Sequence, residues 1–200
     1  MKLYYSPGAC SLSPHIVLCE AGLPYELIKV DLKTKKTEHR DDFNAINPKG
    51  YVPTLLLDDG EVLTEGPAIV QYLADLAPAK ALAPAAGTIA RVRLQEWLNF
   101  ISTEVHKGFS PLFRNAPAEW QGVVRAALAG RFTHLATVVE KQPYLTGNDF
   151  CVADAYLFTV LNWSKWVKID LSPWPALVAY QARVAARPGV QQALKKEGLL

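Results

Sequence analysis

Tyr4-Tyr5-Ser6-Pro7-Gly8-Ala9-Cys10-Ser11-Leu12-Ser13-Pro14 decides how this chain begins to fold. The apolar run Leu3-Tyr4-Tyr5 stops at a Pro-Gly pair, a strong turn signal. A helical pattern follows, with Ser11 or Ser13 as N-cap and Pro14 tolerated in the first turn. Cys10 therefore falls at a strand-to-helix turn, where unpaired backbone N–H groups point. Those groups and the helix dipole favour an anion, and so a thiolate. A free cysteine also packs as a small hydrophobe, so placement alone leaves both roles open.

The helix from Ser11 runs to about Ala21 and stops at Gly22. Tyr25 to Asp31 reads as a second strand, and about His39 to Ala45 as a short helix. Thr54-Leu55-Leu56-Leu57, Asp58-Asp59-Gly60 and Glu61-Val62-Leu63 read as a hairpin with a Gly-containing turn. Ile69, Tyr72, Leu73 and Leu76 then recur at helical spacing. Alanine, Pro78, Pro84 and Gly87 mark a linker over 78–87. Beyond it every segment reads as helix: the stripe Leu94, Trp97, Leu98, Ile101 and Val105; Trp120 to Lys141; Val152 to Trp166; Trp174 to Ala186; Val190 to Leu199. Val152 to Trp166 is apolar nearly all round, which predicts a buried central helix. The expected fold is an α/β thioredoxin-like N-terminal domain, βαβ-α-ββα with a mixed sheet, over 1–77. An all-α helical bundle is expected over 88–200.

The totals exclude several function classes. The net charge of +2 is too small to imply a nucleic-acid or anionic-membrane partner. Cys10, Cys19 and Cys151 leave an odd thiol in any disulfide scheme and show no zinc-like spacing. Ser13 removes a Cys-x-x-Cys pair. A reduced, cytoplasmic protein without a metal is the expectation. Pro7-Gly8 comes too early for a signal-peptide apolar region, and no apolar stretch is long enough to span a bilayer.

Other residues carry candidate chemistry. Pro53, after Tyr51-Val52 and before a strand, is either an edge device or a cis-proline bend. Such a bend would offer the Val52 backbone to an extended peptide. Thr64-Glu65-Gly66-Pro67 either caps a helix or offers N–H groups to a carboxylate and Glu65 to an ammonium. In Lys33-Thr34-Lys35-Lys36 one lysine could reach a ligand carboxylate, although such clusters usually form a solvated face. At about 100° per residue, Asn99, Thr103 and His106 share an arc opposite the Leu94-Leu98-Ile101-Val105 stripe. His106 beside Lys107 would place two basic groups where they lower a nearby thiol pKa. Phe109 and Phe113, at i,i+4, could line an apolar pocket or belong to the core; Trp163 and Trp166 are expected to pack the buried helix. His15, His39 and His134 read as structural or surface residues.

With these pieces in one order, the chain resembles a cytosolic glutathione transferase of the bacterial beta class. The resemblance runs over essentially the whole chain. It is carried by Met1-Lys2-Leu3-Tyr4-Tyr5 with Pro7-Gly8-Ala9-Cys10-Ser11-Leu12-Ser13, by Asn47-Pro48-Lys49-Gly50-Tyr51-Val52-Pro53, by Leu63-Thr64-Glu65-Gly66-Pro67-Ala68-Ile69 and by the Trp97-to-Pro111 helix. It implies glutathione as co-substrate, small hydrophobic electrophiles as partners in a detoxification reaction, and a homodimer. Cys10 would lie beside the glutathione sulfur and could form a mixed disulfide with it. Val52, before a cis Pro53, would pair with the cysteinyl backbone. Glu65 and Gly66 would hold the γ-glutamyl end and Lys35 the glycine carboxylate. Asn99 and Thr103 would approach from the partner subunit, and His106 and Lys107 would face the sulfur, making Cys10 and His106 the catalytic candidates. Phe109, Phe113 and Trp166 are the candidate electrophile pocket.

Two departures from the family pattern stand out. Gly66 occupies a position where the family often has Ser, and Cys151 replaces the Ser or Thr of a capping box with Asp154. A thiol is a weak acceptor, so helix initiation there loses up to roughly 1 kcal/mol against Ser. The same residues are compatible with two other functions. One is glutathione-dependent thiol-disulfide exchange with Cys10 as nucleophile. The other is a non-catalytic protein that binds apolar ligands.

Overall fold

The computed structural model describes residues 1–200, and they fall into two compact units. The first comprises Met1–Ala83 with Arg187–Leu200, and the second Pro84–Ala186. In the first unit β1 (Lys2–Tyr5) buries Leu3, Tyr4 and Tyr5. The chain turns at Pro7-Gly8 and enters α1 (Leu12–Ala21), whose Leu12, Ile16, Val17 and Leu18 are buried. Gly22 ends that helix with φ 68°, a left-handed conformation that favours glycine. β2 (Glu26–Asp31) buries Ile28 and Val30 on one face and runs parallel to β1, with Leu3 opposite Leu27. β4 (Thr54–Leu56) runs antiparallel to β1, and β5 (Val62–Thr64) antiparallel to β4. With the two-residue β3 (Lys36–Thr37) at one edge, the mixed sheet has the order β3-β2-β1-β4-β5. α3 (Gly66–Asp75) packs on α1. The thioredoxin-like fold expected from the sequence is present.

Three features differ from the sequence reading. A two-residue strand, β3 (Lys36–Thr37), pairs antiparallel with β2. The short helix is α2 (Phe43–Ile46), starting later than His39 because Asp42 caps it, accepting the Asn44 N–H at 3.0 Å. The last helix, α9 (Pro188–Lys196), packs on α1, so 88–200 do not form one unit. Arg187 grips Glu20 with two hydrogen bonds of 3.0 and 2.7 Å, which fastens this segment to α1.

The second unit is all helix. α4 (Ile89–Phe100) is capped by Thr88 and continues through a π-helical stretch, Ile101–His106, into α5 (Lys107–Phe113). α6 (Ala118–Val139), α7 (Val152–Asn162) and α8 (Pro175–Ala185) complete it. α7 is buried from Val152 through Leu161, as its uniformly apolar sequence requires. At its start the buried Asp154 carboxylate accepts from the Cys151 and Leu145 N–H groups, both at 2.9 Å, and from the Tyr180 hydroxyl at 2.9 Å. Burial pushes the Cys151 thiol pKa up, and the thiol donates to Asp154 at 3.1 Å. No helix is long and apolar enough to cross a membrane.

Candidate active site

The first unit brings three separated segments of sequence together. Cys10 sits just before Ser11 at the mouth of α1, partly exposed, and its Sγ donates to the Val52 carbonyl at 3.2 Å. The Val52–Pro53 bond is cis. A Cβ added to Gly66, the first residue of α3, would lie 3.8 Å from the Pro53 ring. Cys10, Val52, Pro53 and the start of α3 are thus consecutive neighbours. Asn47 holds the intervening loop from inside, donating to the Tyr51 carbonyl and the Thr54 hydroxyl, both at 2.9 Å.

The Cys10 loop is fixed from below. The Ser11 hydroxyl accepts the Ser6 N–H at 3.1 Å, and the Gly8 N–H donates to Glu197 Oε2 at 2.8 Å. The other oxygen, Glu197 Oε1, lies 2.8 Å from His15 Nδ1, with both side chains wholly buried. His15 is therefore structural, as expected, and its partner comes from the residue just after α9. A buried acid needs such partners to offset its lost hydration.

Two charged groups border the cradle. Lys35 Nζ donates to the Gly50 carbonyl at 2.6 Å. Gly50 has φ 66°, and a Cβ there would come within 2.9 Å of Asn44 Oδ1, so glycine is needed beneath the lysine. Glu65, exposed and with φ 67°, is a non-glycine residue in a sparsely populated backbone region. Its Oε1 accepts from Lys49 Nζ at 2.8 Å and from the Tyr51 hydroxyl at 2.9 Å. That carboxylate pulls the pKa values of both Lys49 and Tyr51 upward.

In the second unit the predicted arc is broken by the π-helical stretch. Widening the backbone bonds from i→i+4 to i→i+5 rotates every later residue relative to a straight α-helix. Asn99 and Thr103 remain together and exposed, with the Thr103 hydroxyl donating to the Asn99 carbonyl at 3.0 Å. His106 turns inward, its Nδ1 2.6 Å from the Tyr156 hydroxyl and its ring edge-on to Trp163 at 4.7 Å. Burial, then the Lys107 charge, lowers the His106 pKa to about 4. The imidazole is neutral at pH 7. His106 and Lys107 are therefore not two positive charges; Lys107, exposed, is the only cation of the pair.

The aromatic residues also sort differently from the sequence reading. Phe109 is fully buried between Phe132 and Trp163 and belongs to the core. Phe113 and Trp166 are 44% and 53% exposed, with ring centroids 6.4 Å apart. Trp163 is the tryptophan that packs inside; Trp166 is not.

Two family models match the chain: the glutathione S-transferase N-terminal domain over residues 8–76 and the C-terminal domain over 100–188. A glutathione S-transferase, GstA, of Escherichia coli O157:H7 is 50% identical over the whole of both chains. The chain belongs to the glutathione S-transferase family. Among solved structures it resembles the bacterial glutathione S-transferase BphK in a ternary complex, at 60% identity and TM-score 0.96 over the full length of both chains. It also resembles the beta class glutathione S-transferase of Sphingomonas chungbukensis, at 48% identity and TM-score 0.97 over both full lengths.

Within this glutathione S-transferase fold, sequence reasoning gave no role to Lys49, Tyr51, Asn47 or Glu197. The first three lie inside the quoted Asn47-to-Pro53 motif, but their partners depend on how the loop closes onto α3. Glu197 carries no local signal, since its role follows from α9 returning to α1.

Proposed function

We propose that the protein conjugates glutathione to small hydrophobic electrophiles, as a cytoplasmic homodimer serving detoxification. The observation that carries this reading is the Cys10 Sγ–Val52 carbonyl contact of 3.2 Å beside Pro53 and the start of α3. A thiol, a strand-like backbone edge and a helix N-terminus suit the cysteinyl and γ-glutamyl parts of one small peptide. In this reading Val52 pairs with the cysteinyl backbone, Glu65 takes the α-ammonium, the Gly66 N–H the α-carboxylate, and Lys35 the glycine carboxylate. Asn99 and Thr103 are assigned to glutathione from the partner subunit.

A free thiol titrates near roughly 8.5, so the glutathione sulfur needs help to ionise at pH 7. The start of α1 supplies positive potential; Lys107, as a cation, and the neutral His106, as a hydrogen-bond donor, are the second unit's residues assigned to this help by the family resemblance. Cys10 is a neighbour to that sulfur, since two adjacent thiolates repel. Phe113 and Trp166 form the electrophile-binding surface. That Cys10, Cys19 and Cys151 form no disulfide with one another agrees with a reducing compartment.

The test compares wild type with Cys10→Ala in two reactions, conjugation of a chlorinated nitroaromatic and reduction of a glutathione mixed disulfide. The variant should keep most of the conjugation. If conjugation disappears with Cys10 while binding of glutathione persists, Cys10 is the reacting nucleophile and the proposed role is wrong.

A further inference from the structure

Lys49 and Tyr51 stand in the motif Asn47-Pro48-Lys49-Gly50-Tyr51-Val52-Pro53 yet have no part in the roles assigned above. Both side chains converge on one atom. Lys49 Nζ and the Tyr51 hydroxyl donate to Glu65 Oε1 at 2.8 and 2.9 Å, and the same ammonium donates to the Thr64 hydroxyl at 2.9 Å. The acceptor belongs to a residue with φ 67°, which backbone preference alone would not hold there. The donors come from a loop held from within by Asn47 and from outside by the Lys35–Gly50 bond. A rigid loop therefore grips the carboxylate of a strained residue.

We infer that Lys49 and Tyr51 are positioning residues that orient the Glu65 carboxylate for the α-ammonium of a γ-glutamyl ligand. The inference rests on the proposed binding of glutathione at Glu65. An exposed ion pair contributes little to stability on its own. Its value here is directional: two donors on Oε1 fix the plane of the carboxylate and hence where an ammonium meets it. Tyr51 adds a second, neutral donor, so two bonds orient the carboxylate while only one cation is paired with it.

The test measures equilibrium binding of two probes to wild type, Lys49→Met, Tyr51→Phe and Lys49→Arg. One probe is glutathione. The other is glutaryl-cysteinyl-glycine, which lacks only the α-amino group. Lys49→Met and Tyr51→Phe are each expected to weaken glutathione by about fivefold, the worth of one ordinary hydrogen bond, since Glu65 keeps its charge and loses only one of the two bonds that orient it. Neither should change affinity for the des-amino probe, and Lys49→Arg should restore most of the glutathione affinity. In conjugation kinetics the loss should fall on KM for glutathione rather than on kcat. Equal weakening of both probes would mean that the side chains touch the ligand elsewhere and would overturn the inference, as would unchanged glutathione affinity. Failure of wild type to bind glutathione at all would instead overturn the proposed function.

Discussion

His106 gives a quantitative handle on the second unit. Its pKa is lowered to about 4 by burial and by Lys107, against an ordinary value of 6.5. Between those values the unfolded chain binds a proton that the folded chain refuses. More protons bound in the unfolded state means that stability rises with pH and falls as the solution is acidified. The contribution is fully present above pH 6.5 and is lost as pH drops towards about 4. A shift of roughly 2.5 units corresponds at most to about 3.4 kcal/mol. From pH 7.5 to pH 5.5 the loss should be about 1.4 kcal/mol. Other groups titrate in the same range, so the assay compares urea unfolding of wild type and His106→Gln at both pH values. The variant should lose about 1.4 kcal/mol less than wild type over that interval. Equal losses would mean that His106 titrates normally in the folded protein, and the case for a neutral donor would collapse.

Three further outcomes follow from particular contacts. Gly66→Ser should fold normally, because its Cβ would lie 3.8 Å from Pro53 in ordinary contact, and should tighten glutathione binding up to about tenfold by adding a hydroxyl donor; calorimetric titration showing weaker or unchanged binding would count against the carboxylate site. Glu197→Ala should cost about 3 kcal/mol in chemical denaturation, since it strands the buried His15 and the Gly8 N–H, while Glu197→Gln should cost less. Cys151→Ser should raise stability by up to about 1 kcal/mol in thermal unfolding, because a hydroxyl caps α7 better than a thiol; a lower melting temperature would show that the thiol's bond to Asp154 and its packing matter more.

The strands, helices and mixed sheet followed from local signals. Pro7-Gly8 and Gly22 bracket α1, Asp58-Asp59-Gly60 turns the hairpin, and the unbroken apolar run of α7 announces burial. What stayed hidden depends on contacts between distant segments. β3 has two residues and exists only through pairing with Val30 and Asp31. The allegiance of α9 rests on Arg187 meeting Glu20, and the role of Glu197 on the same return. The arc through Asn99, Thr103 and His106 assumed a uniform α-helix, and the π-helical stretch at 101–106 moved the last of them inward. The loss of the His106 charge could not be read from its neighbour Lys107, because burial among Tyr156 and Trp163 lowers its pKa more. Phe109 left the expected pocket for the core, and Trp166 left the expected packing of the buried helix for the surface, for a similar reason. Spacing marks a face, whereas the neighbouring helices decide which of its residues they cover.

Steady-state formation of the thioether from glutathione and a chlorinated nitroaromatic, measured for wild type and Glu65→Ala, bears on the whole account. Wild type should form the conjugate well above the uncatalysed rate. Glu65→Ala should raise KM for glutathione by about tenfold or more, as expected for loss of a charge-assisted contact. No conjugate above background with glutathione bound to wild type, or identical kinetics in the two proteins, would contradict it.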